Sequence, residues 1–213
     1  ELIEPKLAAL DTPWNLVVTG VGGTGVLTIT AVLAMAAHIE GKGCATMNQT
    51  GLAQKFGPVV SHLRVANKQE DINAVRIPAG DADLLLGCDL VVSSSDEAIA
   101  KVNVERSVAV INDTEMTTAD FVYHRDAQFP GDAMKQLIVA EVGEGKVDFI
   151  QASEIANNLL GDSLATNFFM LGYAFQKGYI PVSSEAISHA IKLNGVAVEF
   201  NQQAFLWGRR AVD

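Results

Sequence analysis

Short apolar runs alternate with amphipathic stretches along most of the chain, and polar or glycine-containing turns separate them. Apolar or alternating runs predict strands at 15–19, 44–47, 59–66, 89–93, 107–112 and 147–150. Apolar residues at helical spacing predict helices at 24–38, 82–86 and 96–102. Because strands and helices alternate, we predict an α/β fold with a doubly wound sheet.

The last third of the chain is predicted to be helical. Apolar residues recur at helical spacing from 164 to 175, and Gly178 ends that helix. A second helix begins at a serine cap at 183–184 and ends at Gly195, and a third apolar stripe runs from 196 to 207. Such stripes are typical of core packing, so we predict a helical C-terminal region.

The composition is that of a folded domain. The chain has 213 residues, of which 49% are hydrophobic and 19% charged, which is enough to form a core. We predict a linker over 1–14 and a single domain over 15–213. The first residue is Glu1 and the opening segment is typical of a linker, so we expect the chain to be a piece of a longer protein.

Charge and cysteine content exclude several classes of function. The formal net charge is −10, whereas a nucleic-acid backbone requires a basic face, and no apolar stretch is long enough for a membrane span. Cys44 and Cys88 form no CxxC motif and no metal-ligand spacing, so we expect no metal site in this domain. Two buried, reduced thiols indicate a cytoplasmic protein. The acidic charge and the shortness of the apolar stretches indicate that it binds neither nucleic acid nor membrane.

The sequence GVGGTG, residues 20–25, matches the spacing GxGxxG between a predicted strand and a predicted helix. Glycine permits positive φ and close approach of a phosphate, and the N-terminus of a helix favours an anion. We therefore predict that Gly22, Gly23, Thr24 and Gly25 contact an anionic cofactor.

The second half of a dinucleotide fingerprint is missing. An acidic residue should end the second strand and bind a ribose hydroxyl, but Asn48 and Gln49 follow Met47. Glu40 precedes that strand, and no Lys-Ser/Thr pair of a Walker A motif opens the helix. We expect no tight binding of NAD(H) or NADP(H), although an NAD(P)-dependent dehydrogenase domain remains an alternative.

The stretch NQTGLAQKFGPVVSHLRV, which starts at residue 48, is polar and follows a strand end, where open α/β sheets bind ligands. We predict that Thr50, Gln54, Lys55 and Arg64 face the glycine turn, since neighbouring parallel strands end at one edge of the sheet. His62 and Arg64 share one strand face and are expected to form a cationic spot. A solvated loop before an edge strand is the alternative.

Several motifs in register carry a family resemblance over nearly the whole chain. They are NLVVTGVGGTGVLTITAVLAMAAHIEGKG, TGLAQKFGPVVSHLRVA, DLLLGCDLVVSSSDEA, GDSLATNFFMLGYAFQKGYIP and AIKLNGVAVEFNQQAFLWGR. Together they resemble the gamma domain of 2-oxoacid:ferredoxin oxidoreductases, and the likeness is closest to the gamma-like region of fused indolepyruvate ferredoxin oxidoreductases.

This resemblance implies a Rossmann-like domain within a larger, oligomeric enzyme. Such enzymes oxidatively decarboxylate a 2-oxoacid, here an arylpyruvate, to an acyl-CoA and pass the electrons to ferredoxin. Their thiamine diphosphate, magnesium and iron–sulfur clusters lie mainly in other domains, so the resemblance implies that none is firmly bound here. It assigns no catalytic residue to this domain, and it makes a phosphate of coenzyme A the expected anion at the glycine turn. A purely structural scaffold is the remaining alternative.

Overall fold

The computed structural model describes residues 2–50, 57–114 and 130–212, and its centre is a six-stranded sheet. The strands lie in the order β2-β3-β1-β4-β5-β6. Their bounds are β1 (Trp14–Val21), β2 (Gly43–Thr50), β3 (Pro58–Ala66), β4 (Leu84–Gly87), β5 (Val108–Asn112) and β6 (Val147–Ile150).

The helices of the described residues cover both faces of this sheet. They are α1 (Val26–Ile39), α2 (Leu90–Ser93), α3 (Asp96–Ile99), α4 (Gly131–Val142), α5 (Ala152–Leu160), α6 (Thr166–Gln176), α7 (Ser184–Asn194) and α8 (Val198–Arg210). Short 3₁₀ turns occur at Gln69–Asp71 and Ser163–Ala165. No helix of the described residues is long and apolar enough to cross a membrane.

Strand β3 lies between β2 and β1 and differs from both in direction. Strands β1, β4, β5 and β6 are parallel, whereas β3 is antiparallel to both of its neighbours, β1 and β2. Strand β3 therefore separates β2 from β1. Because β1 and β2 both run antiparallel to β3, their C-terminal ends lie at the same end of the sheet without being adjacent.

Alternate strand residues enter two cores. Leu16 and Val18 pack with α1, α5, α6, α7 and α8 on one face of the sheet. Val17 and Leu85 pack with α2, α3 and α4 on the other face. This arrangement confirms the predicted doubly wound α/β fold with a helical C-terminal region.

Two predicted elements are wrong in type. The segment 82–86 was expected to be helical and 89–93 to be a strand, but the strand is β4 and the following segment is the single-turn helix α2. The Asp89 side chain accepts a hydrogen bond from the Val92 amide at 2.8 Å and caps α2. The sequence Leu84-Leu85-Leu86 is a fully buried strand, which is continuously apolar and has no period that separates it from a helix. Helix α4 was not predicted.

The segment before β1 has no helix or strand from residue 2 to residue 13. It is nevertheless anchored to the C-terminal region. The Gln176 side chain donates to the Ile3 carbonyl at 2.8 Å, and Glu4 lies 2.9 Å from Arg209. The division into a linker and a domain stays a prediction.

Helices α6 and α8 pack with their backbones in direct contact. A methyl group on Gly172 of α6 would overlap the carbonyl oxygen of Phe205, and one on Gly208 of α8 would overlap that of Phe169. Two facing glycines thus allow the close approach that positions these helices beside the sheet.

We predict that Gly172→Ala destabilises the fold by at least about 2 kcal/mol, because the added methyl group would force the two helices apart. Alanine favours helix over glycine by about 1 kcal/mol, so propensity alone predicts the opposite sign. Urea unfolding of Gly172→Ala measures the difference. Gln203→Ala, at an exposed position of α8, serves as the control and should stay within about 0.5 kcal/mol of the parent. Unchanged stability of Gly172→Ala would contradict the described packing.

Candidate anion-binding site at the glycine turn

The glycine turn joins the end of β1 to the start of α1. The Gly22 amide donates to the Gly57 carbonyl at 2.8 Å, which ties the turn to the residue before β3. The Thr24 hydroxyl donates to the Val21 carbonyl at 2.8 Å and closes the turn on itself. The turn is therefore fixed from both sides before any ligand binds.

Gly20, Gly23 and Gly25 are each required in the turn for a different structural reason. A Cβ atom on Gly20 would lie 2.5 Å from Val26 Cγ2, so this glycine permits close packing of strand on helix. Gly23 and Gly25 have φ values of +87° and +88°, which side chains rarely tolerate. A Cβ atom on Gly23 would meet nothing within 4 Å, so the space above the turn is open.

The N-terminus of α1 carries no side-chain cap. Gly25 is its N-cap, no side chain bonds to the first amides, and no acidic residue lies in the first turn. The amide groups and the positive end of the helix dipole are thus uncompensated by the described side chains. This is the arrangement that binds phosphates and carboxylates.

A groove of about 410 Å³ lies against the turn, and the C-terminal helices form its other wall. The Asn167 side chain, at the start of α6, donates to the Thr24 carbonyl at 2.7 Å and joins the two walls. Leu164, Val196 and Phe200 form an apolar wall of the groove. The Asp162 carboxylate also lines the groove, where it accepts a hydrogen bond from the Leu164 amide at 2.8 Å. Leu164 and Val196 remain 59% and 65% exposed, so this wall is open to a ligand.

A second pocket of about 210 Å³ lies between the glycine turn and the end of β4. It is lined by polar groups that include Asp89, Ser153 and Thr166. Asn112, at the end of β5, donates to the Cys88 carbonyl at 3.1 Å and to Ser153 at 2.9 Å. Helix α1 leaves β1 toward one face of the sheet and α2 leaves β4 toward the other, so this crevice is the topological switch point of the fold.

Among the described residues that line this pocket, Asp89 is the acidic one. Burial raises the pKa of its carboxyl group, and hydrogen bonds from the Val92 and Val91 amides partly oppose that rise. Asp89 is 7% exposed and accepts hydrogen bonds at the wall of the pocket. It therefore favours a hydrogen-bond donor there over a second anion.

The structure brings Gly22, Gly23, Thr24 and Gly25 together at the head of the groove, and the last three line it. The backbone of Thr50 ends β2 at the same sheet edge, with β3 between it and β1. Gln54 and Lys55 lie outside the described residues. Cofactor binding by these residues stays a prediction.

The predicted position of Arg64 is wrong. Strand β3 is antiparallel to β1, so Arg64 pairs with Asn15 at the start of β1, whereas the turn follows the end of β1. Its guanidinium donates to the Asn15 side chain at 2.8 Å and to the Ala74 carbonyl at 2.9 Å. Arg64 lies near the C-terminal end of β3. Because β3 is antiparallel to β1, this end lies away from the glycine turn, whereas the prediction placed Arg64 beside the turn.

His62 does not form the expected cationic spot with Arg64. Burial, with smaller contributions from Lys101 and Arg76, lowers the pKa of His62 to about 4, so its ring is neutral at pH 7. Its Nδ1 accepts a hydrogen bond from the Ile77 amide at 3.3 Å, and its Nε2 lies 3.0 Å from the Gln49 side-chain oxygen. These contacts make His62 a structural residue.

Sequence reasoning missed residues that line the groove, Asn167 and Phe200, and residues that line the adjoining pocket, Ser153 and Thr166. Asn167, Ser153, Thr166 and Phe200 lie more than 120 positions after the turn, in segments whose apolar stripes indicate only packing. No local signal marks them, because their role depends on how α6 and α8 dock. No cluster of three His, Cys, Asp or Glu side chains suited to a metal ion occurs within residues 2–50, 57–114 and 130–212.

Known proteins of similar sequence identify the family of this chain. The sequence model of the family described as pyruvate ferredoxin/flavodoxin oxidoreductase matches residues 15–211. The indolepyruvate oxidoreductase subunit IorB of Thermococcus kodakarensis is 29% identical over 202 residues, which are 93% of this chain and 95% of that protein. The subunit of the same name from Archaeoglobus fulgidus is 30% identical over 199 residues, covering 91% and 92%. The family resemblance inferred from the motifs is thereby confirmed.

Solved structures share the fold. The gamma subunit of a keto/oxoacid ferredoxin oxidoreductase from Geobacter sulfurreducens has a TM-score of 0.64 at 20% identity, covering 93% of this chain and 98% of its own. The 2-oxoglutarate:ferredoxin oxidoreductase of Magnetococcus marinus, solved with 2-oxoglutarate, coenzyme A and succinyl-CoA, has a TM-score of 0.67 at 15% identity. It matches 95% of this chain but only 31% of its own, so there the fold is part of a longer chain.

We predict that the His62 ring stays neutral down to about pH 5, as an NMR titration of its imidazole signals would measure. The unfolded histidine has a pKa near 6.5 and the folded one near 4, so the unfolded state binds the proton first as the pH falls. The neutral His62 ring contributes to the free energy of unfolding in full above the unfolded pKa. This contribution is lost as the pH falls from the unfolded pKa to the folded one. The unfolding free energy of the parent should therefore fall more than that of His62→Gln from pH 7 to 5. Parallel pH dependences would contradict the assignment.

Proposed function

Because the chain belongs to the pyruvate ferredoxin/flavodoxin oxidoreductase family, we propose that it is the gamma-type subunit of an arylpyruvate:ferredoxin oxidoreductase, with indolepyruvate as the substrate. The observation that carries this proposal is the match to the indolepyruvate oxidoreductase subunits over nearly their whole length. The activity would then belong to the assembly of this chain with a catalytic subunit.

The reaction converts a 2-oxoacid anion and coenzyme A to acyl-CoA, carbon dioxide and one proton, and the two electrons released reduce ferredoxin. Thiamine diphosphate with magnesium supplies the carbanion chemistry and iron–sulfur clusters supply electron transfer when they are bound in the assembly. The chain has two cysteines, whereas a cluster held only by cysteine needs four thiolates, so the clusters belong to a partner. We assign the binding of coenzyme A to this chain on the basis of the groove beside the glycine turn.

The groove beside the glycine turn offers a helix N-terminus and an apolar wall that suit two different parts of coenzyme A. A phosphate would meet the uncapped amides at the start of α1, where positive charge is uncompensated. The apolar wall formed by Leu164, Val196 and Phe200 suits the uncharged parts of the same molecule. The related Magnetococcus enzyme was solved with coenzyme A bound, which supports this choice of ligand.

The segment between β2 and β3 is proposed to complete the site. Strand β2 ends at the same end of the sheet at which β1 enters the glycine turn, so this segment starts from there. We assign Thr50, Gln54 and Lys55 to the ligand on this basis, with Lys55 as the source of positive charge. Arg64 is excluded, because it lies at the opposite end of β3.

The geometry disfavours a dinucleotide-dependent dehydrogenase. In that class the acidic residue that binds the ribose ends a strand adjacent to the glycine turn. Here β3 lies between β1 and β2, which moves the end of β2 about 10 Å from β1, and Asn48 and Gln49 occupy that end. The groove and the open helix N-terminus equally favour a ligand site over a purely structural scaffold.

We further assign ferredoxin as the electron acceptor of the assembly and the cytoplasm as its location. Both cysteines are free thiols, which is the usual state in a reducing compartment.

The substitution Thr28→Glu tests the anion site. Thr28 lines the groove in the first turn of α1, so a carboxylate there would compete with the phosphates for the helix N-terminus. We predict at least a tenfold loss in affinity for coenzyme A, measured by calorimetry on the chain assembled with its catalytic subunit. The fold should be preserved, since glutamate in the first turn stabilises a helix.

Thr28→Val is the matched control, because it changes the size of the side chain little and adds no charge. Its affinity for coenzyme A should remain within about threefold of the parent, a difference of about 0.7 kcal/mol. Equal affinities of Thr28→Glu and the parent would place coenzyme A elsewhere, while leaving the family assignment intact.

The assembly itself provides the second test. The purified chain should not reduce an artificial dye with indolepyruvate and coenzyme A, and activity should appear when it is co-produced with a thiamine-diphosphate-dependent catalytic subunit. This follows because the chain lacks the thiolates for a complete cluster. Turnover by the chain alone, or full turnover by the catalytic subunit without it, would contradict the proposed subunit role.

A further inference from the structure

Asn167 is a polar side chain that lies between the groove and the adjoining pocket. It lines both of them, and only 5% of its surface is exposed. Its side-chain amide donates to the Thr24 carbonyl at 2.7 Å. That carbonyl belongs to the peptide group before Gly25, the N-cap residue of α1. The hydrogen bond therefore joins α6 to the last peptide group of the glycine turn.

The peptide group between Thr24 and Gly25 is free to adopt two orientations as far as its own backbone is concerned. Glycine tolerates φ values of either sign, and Gly25 has a φ of +88° in this turn. A flip of such a peptide converts one common type of turn into another. The flip would exchange the positions of the Thr24 carbonyl oxygen and the Gly25 amide, because these groups point in opposite directions across a trans peptide.

In the observed orientation, Asn167 covers the Thr24 carbonyl oxygen and the Gly25 amide stays free. No acceptor for this amide occurs within the described part of the chain. It therefore adds to the uncapped amides at the start of α1. After a flip, or after loss of the Asn167 donor, an unpaired carbonyl oxygen would lie at the groove instead. Its partial negative charge would repel an anion that the helix N-terminus attracts.

Helix α6 is a rigid support for this hydrogen bond. The two residues after Asn167, Phe168 and Phe169, are 4% and 0% exposed and belong to the core. One turn further along, Gly172 allows direct backbone contact with α8. Core packing therefore fixes the position of α6, and the Asn167 side chain acts on the glycine turn rather than on the helix that carries it.

We propose that Asn167 is a positioning residue for the anionic ligand of the groove. Its side chain holds the Thr24–Gly25 peptide so that the carbonyl oxygen is covered and the amide stays available to a phosphate. The inference rests on the proposed binding of coenzyme A at the glycine turn. It adds one requirement, which is that residue 167 donates a hydrogen bond, because a carbonyl oxygen only accepts.

The variants Asn167→Asp and Asn167→Leu test the need for a donor, with calorimetry of coenzyme A on the chain assembled with its catalytic subunit. Neither leucine nor an ionised aspartate donates, so at about pH 8 both variants should bind at least about tenfold more weakly than the parent. A protonated aspartate carries one O–H donor, and burial favours protonation. At about pH 5.5 Asn167→Asp should therefore recover to within about threefold of the parent at the same pH, whereas Asn167→Leu should stay weak.

Gln203→Glu is the matched control, because it exchanges an amide for a carboxylate at an exposed position of α8 outside the groove. It should bind coenzyme A like the parent at both pH values. In turnover, Asn167→Leu should raise the KM for coenzyme A and leave the KM for the 2-oxoacid unchanged.

Parent-like affinity of both Asn167 variants would overturn the inference and leave the proposed coenzyme A site in place. A loss in Asn167→Asp that does not recover at low pH would overturn it as well. If Asn167→Leu does not assemble with the catalytic subunit, the pH dependence of Asn167→Asp decides alone. A parent assembly that does not bind coenzyme A would overturn both the inference and the proposed site.

Discussion

The pairing of β3 with β1 determines the rest of the structure. The two strands are antiparallel along their full length, from Trp14 opposite Val65 to Val21 opposite Pro58. At the end of this ladder the Gly22 amide bonds to the Gly57 carbonyl and fixes the glycine turn. The same pairing separates β2 from β1, so the strand ladder positions the candidate ligand site and also moves the end of β2 away from it.

The C-terminal helices form a groove beside the glycine turn. Gly172 and Gly208 let α6 and α8 approach until their backbones touch, and Asn167 then reaches the Thr24 carbonyl. The groove combines an uncapped helix N-terminus with an apolar wall, whereas the adjoining pocket holds the buried carboxyl group of Asp89. The chain thus offers different chemistry to the anionic, apolar and hydrogen-bonding parts of one ligand.

The sequence predicted the features that local patterns determine. The strand–turn–helix around GVGGTG and the helices ended by Gly178 and Gly195 follow from glycine chemistry and apolar periodicity. Strand β4 was missed because Leu84-Leu85-Leu86 has no period, and Arg64 was misplaced because strand direction is a tertiary property. Asn167 could not be found at all, since its contact with Thr24 spans 143 positions of the chain.

The proposed role of this chain depends on binding of coenzyme A at the glycine turn by the amides at the start of α1. Amide hydrogen exchange on the chain assembled with its catalytic subunit, with and without coenzyme A, measures this binding. We expect slower exchange confined to residues 22–28 and to the facing segments at 162–168 and 196–201. Unchanged exchange at 22–28, with protection elsewhere on the chain or only on the partner, would contradict it.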